Sequence, residues 1–64
     1  MWTVVYMAQN RDKAGELQSA LEQAGMLVRI QAAGKRENTN DYIEVSVPET
    51  DVEEAHNIII EKGF

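Results

Sequence analysis

Five stretches of the chain have a regular pattern of apolar and polar residues, three typical of strands and two of helices. WTVVYM at residues 2–7 is rich in β-branched and aromatic residues and predicts a strand that ends by Ala8. MLVRIQA at 26–32 and DYIEVSV at 41–47 predict two half-buried strands, and Pro48, which lacks a backbone donor, closes the last one. The residues of these two strands predicted to face the core are Val28, Ile30, Ala32, Ile43, Val45 and Val47.

The two helical stretches have recognisable ends. Asn10 is a good N-cap for the first helix, and Gly25 follows it at the position of a left-handed C-terminal cap. Thr50 and Glu53 match a capping box at the start of the second helix, and Gly63 ends it. In the first helix the apolar positions that recur at helical spacing are Ala14, Leu17, Leu21 and Ala24.

The predicted order of elements is β-α-β-β-α, an α+β domain. Two sheet arrangements are compatible with this order. In one, the third strand lies between the first two and antiparallel to both, which gives strand order 1-3-2 with both helices on one face, as in the ferredoxin-like fold. In the other, the first two strands are adjacent and parallel. We favour the first arrangement because DYIEVSV alternates most regularly and suits the centre of a sheet. The fold is then a truncated ferredoxin-like domain without the fourth strand.

The length of the chain predicts a single domain, 1–64, that gains from a partner. A chain of this size buries only about 60% of the surface that its unfolded form exposes. Small domains are commonly stabilised by disulfides, a metal or a second subunit, and this chain has no cysteine and one histidine. We therefore expect a homodimer or a higher oligomer, with no metal site and no cofactor.

The charge of the chain limits its partners. Six basic and eleven acidic residues give a net charge of −5, which would be repelled by nucleic acid and by anionic membranes. No stretch approaches the roughly 20 apolar residues of a membrane span. The start, MWTVVYMAQN, lacks the basic and apolar regions of a signal peptide, so a cytoplasmic protein is expected.

The first strand is predicted to lie at an edge of the sheet. It carries neither proline nor charge, and such edges pair readily with another chain. We expect Trp2, Val4 and Tyr6 to face the helices, with Val5 and Met7 on the outer face of the sheet. Copies of the chain could then meet by edge pairing or by packing of their outer faces.

The second helix has more apolar residues than one stripe can use. Val52, Ala55 and Ile59 share a stripe, and Ile58 and Ile60 fall on its two flanks. One flank can pack against the first helix, whereas the other would be exposed to water in a monomer. Contact between copies through this helix is therefore a third mode of association. Phe64 can either fold back under the sheet or meet a partner. The predicted interface residues are Val5, Met7, Leu27, Tyr42, Ile58, Ile60 and Phe64.

Few residues resemble a chemical site. Glu53 and His56 have the spacing of one ligand pair of a di-iron bundle, but such sites need two of these pairs and two further glutamates. No serine, histidine and acid arrangement indicates a nucleophile, and the glycines are too far apart for a phosphate loop. The segment 34–41 is polar and holds two adjacent cations. It predicts a weak ligand site made of Lys35, Arg36, Asn38 and Asn40.

The run VVYMAQNRDKAGELQSALEQAGMLVRI, followed by a polar loop and IEVSVPETDVEEAHNII, resembles a family of small prokaryotic proteins of unknown function. They are described as signal-transducing and are related in structure to the PII regulators. The resemblance covers nearly the whole chain, and its main motifs are the AG before the second strand and the VPE-x-D-x-x-x-A start of the second helix. It implies a truncated ferredoxin-like, PII-like domain that acts by binding, with residues 34–41 as the recognition loop. Nucleotide binding is not implied because no nucleotide-binding residues are recognisable.

Together these features favour a non-catalytic regulatory or protein-interaction module that works as a homodimer. Two alternatives are a sensor of a small anion or metabolite at the 34–41 loop, and an accessory subunit of a larger enzyme. Glutamate decarboxylase activity, a label that such short proteins sometimes carry, is not expected. It would need a Schiff-base lysine, a partner for the ring nitrogen and a phosphate site in a closed pocket.

Overall fold

The computed structural model describes residues 1–32 and 42–64. Three strands and two helices follow one another in the predicted order, and a short 3-10 turn precedes the second helix. The elements are β1 (Trp2–Ala8), α1 (Arg11–Gln23), β2 (Arg29–Ala32), β3 (Ile43–Pro48), the 3-10 turn (Glu49–Asp51) and α2 (Val52–Lys62).

The three strands form one antiparallel sheet in the order β1-β3-β2. This confirms the favoured arrangement, and the alternative with adjacent parallel first and second strands is not formed. The central strand is the one with the most regular alternation, because its inner residues must be buried while its backbone pairs on both sides. Ile43, Val45 and Val47 are buried, as predicted.

Helix α1 begins as predicted. The side chain of Asn10 accepts a hydrogen bond of 2.8 Å from the backbone N–H of Lys13, which satisfies one of the free donors of the first turn. The stripe of this helix is buried except at its end. Ala24, predicted to belong to the stripe, is exposed, because it is the C-cap residue and already leaves the helical path.

Both helices end in the same way. Gly25 and Gly63 have φ angles of 93° and 83°, in the left-handed region where a residue with a Cβ is strained. The residues that follow, Met26 and Phe64, each donate a 3.1 Å backbone hydrogen bond to the carbonyl five residues earlier. This is a Schellman motif, in which the apolar residue after the glycine packs back onto the helix. Met26 is buried and Phe64 is half-buried against the core.

The predicted capping box at the start of α2 is wrong. Thr50 lies within the 3-10 turn, and the N-cap position, Asp51, makes no side-chain capping bond. The backbone of the turn supplies the first bond instead, because the N–H of Val52 donates to the carbonyl of Glu49. The turn is also tied to the first strand by a 2.9 Å bond from the N–H of Glu49 to the carbonyl of Met1.

The core lies between the sheet and the two helices. Both helices cover the same sheet face, because their buried residues belong to one cluster with those of the strands. The cluster consists of Ala8, Ala14, Leu17, Leu21, Met26, Ile43, Val45, Val47 and Ala55.

Strand β1 contains a β-bulge that changes which of its residues face the core. Val4 pairs with Ser46 and Tyr6 pairs with Val45, so Val5 is the extra residue. Val5 and Tyr6 both pack against the core, and the alternation before the bulge is reversed. The expectation that Trp2 and Val4 face the helices is therefore wrong, and so is the outward placement of Val5. The placements of Tyr6 and Met7 are confirmed.

Candidate functional site

The face of the sheet opposite the helices is formed by every second residue of each strand. On β3 it carries Glu44 and Ser46, which lie between the buried residues of the inner face. Their cross-strand partners share this face because directly paired residues point the same way. Two rows therefore cross the sheet, Val4–Ser46–Arg29 and Met7–Glu44–Gln31.

Two side chains of this face are in contact at one end of it. Trp2 pairs with Pro48, on the same side as Val4. The guanidinium carbon of Arg29 lies 5.2 Å from the centroid of the Trp2 ring, which is within the range of a cation–π interaction. This contact orients Arg29 along the face.

Large apolar side chains make up most of the exposed surface of this face, and neither helix covers it. Trp2, Val4, Met7 and Tyr42 each keep 42 to 46% of their surface exposed, and Leu27 keeps 69%. Tyr42 directly precedes the first residue of β3, and Leu27 lies two residues before Arg29, so the alternation places both on this side. We call this surface the outer sheet face, made of Trp2, Val4, Met7, Leu27, Arg29, Gln31, Tyr42, Glu44 and Ser46.

The charges of the molecule are divided between its two layers. The three strands carry one basic residue, Arg29, and one acidic residue, Glu44, both on the outer sheet face. Within residues 1–32 and 42–64 neither of them forms an ion pair. The helices and the 3-10 turn hold eight acidic and three basic residues. The outer sheet face is therefore electrically balanced, whereas the helical layer is negative.

The edge of the sheet is less suited to pairing than the sequence indicates. β1 does lie at the edge, as expected. However, the bulge at Val5 bends the strand and interrupts the regular spacing of its backbone groups, which is one of the ways in which proteins protect an edge. The other edge strand, β2, has only four residues, so the outer sheet face is the larger unprotected surface of the sheet.

The predicted interface residues of the C-terminal helix have different surroundings. Ile58 packs against the core, whereas Ile60 is 76% exposed, in agreement with their placement on two flanks. Phe64 folds back, and its ring meets that of Tyr6 edge to face with centroids 6.0 Å apart. The Nζ of Lys13 lies 5.8 Å from the centroid of the Phe64 ring. Phe64 is thus used within the chain.

A groove runs between the two helices, with a volume of about 520 Å³. Its lining mixes polar, charged and apolar side chains, and those of Glu16, Gln23 and Lys62 are exposed. Among the described residues, no hydrogen bond or ion pair joins the side chains that line it. The lining residues are Gly15, Glu16, Ser19, Ala20, Gln23, Lys62 and Phe64.

The residues of the predicted ligand loop, Lys35, Arg36, Asn38 and Asn40, lie outside the described residues. Glu53 and His56 are both exposed on α2. In the part of the chain that the structure describes, no three histidine or acidic side chains come together as metal ligands would.

The sequence pattern predicts part of the outer sheet face and misses the rest. It places Met7, Leu27 and Tyr42 on this face, whereas it assigns Trp2 and Val4 to the core. No signal within β1 could have revealed them, because residues 4–7 are apolar or aromatic throughout and fit a regular strand equally well.

Comparison with protein-family models, with curated proteins and with solved structures finds no match to this chain. The resemblance to the small signal-transducing family therefore stays a prediction. Across the described residues, neither helix has the length and apolar character needed to cross a membrane.

Proposed function

We propose that this protein is a non-catalytic protein-interaction module that forms a homodimer through its outer sheet face. The observation that carries the proposal is a sheet face with five large exposed apolar side chains, which neither helix covers because both lie on the opposite side. A regulatory role in signal transduction and a cytoplasmic location, both predicted from the sequence, are parts of the same proposal.

Covering this face would stabilise a chain that is short of buried surface. Each 100 Å² of apolar surface removed from water contributes about 2.5 kcal/mol, before the cost of association. Antiparallel sheets commonly leave one face in water, but that face then carries polar residues. Here the exposed residues include Trp2, Val4 and Met7, so contact with a second apolar surface is favoured.

Face packing is favoured over the two other modes of association. Edge pairing through β1 would require a regular strand, and the bulge at Val5 interrupts it, while the other edge strand, β2, has only four residues. Contact through α2 would bring two negative helical layers together around the exposed Ile60. The outer sheet face has no net charge, so two copies can approach it without that repulsion.

The proposal is tested by size-exclusion chromatography with light scattering at micromolar concentration. The wild-type chain should have twice its monomer mass of 7.2 kDa. Val4→Asp and Met7→Asp should each give the monomer mass, because a carboxylate would be buried without a partner. The matched control is Ile60→Asp, which adds the same group to an exposed position of the helical layer and should remain dimeric.

Circular dichroism must show that each variant is folded. A monomeric wild-type chain would contradict self-association and favour the accessory-subunit alternative, in which the partner is a larger enzyme. A dimer disrupted by Ile60→Asp but not by Val4→Asp would place the interface on α2.

A further inference from the structure

We infer that Arg29 and Glu44 form an ion pair between two copies of the chain, made twice across a two-fold axis, and that this pair sets how the copies are oriented. The inference rests on the proposed function, since it assumes that the outer sheet faces meet. It adds the two side chains that fix the relative orientation of the two faces.

The two residues are close on the sheet but not paired within the chain. Arg29 lies opposite Ser46, and Glu44 lies two residues away on the same strand, so they are diagonal neighbours across the β2-β3 ladder. Arg29 is directed to the ring of Trp2 instead. Within the described residues Glu44 has no ion-pair partner, although it is half-buried at the centre of the face.

A symmetric dimer can satisfy both charges at once. In a two-fold contact, if residue i meets residue j, then j also meets i. A two-fold axis that lies between the faces and bisects the line from Arg29 to Glu44 brings each arginine over the glutamate of the other copy. Within the described residues the face has no other basic group, so a stacking that keeps Glu44 away from Arg29 of the other copy would bury Glu44 without an ion-pair partner, which is strongly unfavourable.

Single charge reversals should abolish the dimer. In Arg29→Glu each copy would present a glutamate to Glu44 of the other, and in Glu44→Arg each would present an arginine to Arg29. Like charges placed together at an interface should raise the dimer dissociation constant by at least about a hundredfold. The controls Arg11→Glu and Glu61→Arg make the same changes at exposed positions of the helical layer and should leave the dimer intact.

The decisive experiment mixes the two single variants, Arg29→Glu and Glu44→Arg. In a mixed dimer the glutamate introduced in one copy would meet the arginine introduced in the other, and the native Glu44 and Arg29 would meet at the second contact. The mixture should therefore recover twice the 7.2 kDa mass by light scattering, although each variant alone is monomeric. Since each reversal changes the net charge of −5 by two, the variants carry −7 and −3, so attraction between net charges cannot explain recovery.

The outcomes separate this inference from the proposed function. If the wild-type chain dimerises and Val4→Asp disrupts the dimer, but the mixture of reversal variants stays monomeric, then the outer sheet face is the interface and the proposed ion pair does not form. Dimers that survive either single reversal would also overturn the pair. A monomeric wild-type chain would overturn the proposed function itself.

Discussion

Two glycines of the first half of the chain have opposite consequences for stability. Gly15 lies inside α1, is exposed, and has nothing within 4 Å of the place where a Cβ would be. It therefore lowers helix stability without allowing any close approach. Gly25 ends the helix with a φ of 93°, and its surroundings are equally open. Its value lies only in the backbone conformation.

The same substitution at these two positions should therefore have effects of opposite sign. Gly15→Ala should raise the free energy of unfolding by about 0.5–1 kcal/mol, because alanine has the higher helix propensity. Gly25→Ala should lower it by about 1–2 kcal/mol, because a Cβ is strained in the left-handed region. Urea unfolding followed by circular dichroism, at one protein concentration for all variants, measures both changes. Effects of the same sign would contradict this account of the two positions.

At the scale of elements, the regular parts of the fold are predictable from the sequence and the irregular ones are not. Strand order and helix ends follow from local signals, such as the alternation in β3 and the glycines after each helix. The bulge in β1 depends on the register between two strands, which no single segment records. The 3-10 turn before α2 cannot be distinguished from a capping box by pattern, since Thr50 and Glu53 satisfy that pattern whether or not the bond forms.

The difference between regular and irregular elements determines which residues of the outer sheet face are predictable from the sequence. The bulge reverses the alternation of the first residues of β1, so a regular pattern assigns Trp2 and Val4 to the wrong side. Met7, which follows the bulge, is assigned correctly. The ladder between β2 and β3 has no register shift, so simple alternation predicts which of their residues lie on the outer sheet face.

The two helices should respond differently to loss of their N-terminal polar residues. Asn10→Ala removes a 2.8 Å capping bond of α1 and should lower the free energy of unfolding by about 1 kcal/mol. Thr50→Ala is the matched change at the start of α2. It should change the free energy of unfolding by less than about 0.5 kcal/mol, because Thr50 is exposed and its side chain makes no capping hydrogen bond. Chemical denaturation measures both changes, and an equal loss of stability in the two variants would indicate that the capping box does form.

At the scale of the whole molecule, the two layers have different characters. The helical layer is negative and faces water, whereas the outer sheet face is apolar and carries a single positive and a single negative charge. Net negative charge keeps copies apart wherever their helical layers meet. That barrier is absent at the balanced outer sheet face, which is the surface through which we propose that two copies pair.

The central claim is that a second copy covers the outer sheet face, and Trp2 reports on this directly. It is the single tryptophan of the chain and lies on that face. Acrylamide quenching of its fluorescence, measured over a dilution series alongside the light-scattering mass, tests the claim. We predict that quenching falls several-fold as the mass rises from 7.2 kDa to twice that value, and that Val4→Asp is quenched strongly at every concentration. A doubling of mass with unchanged quenching of Trp2, or a mass that stays at 7.2 kDa, would contradict the claim.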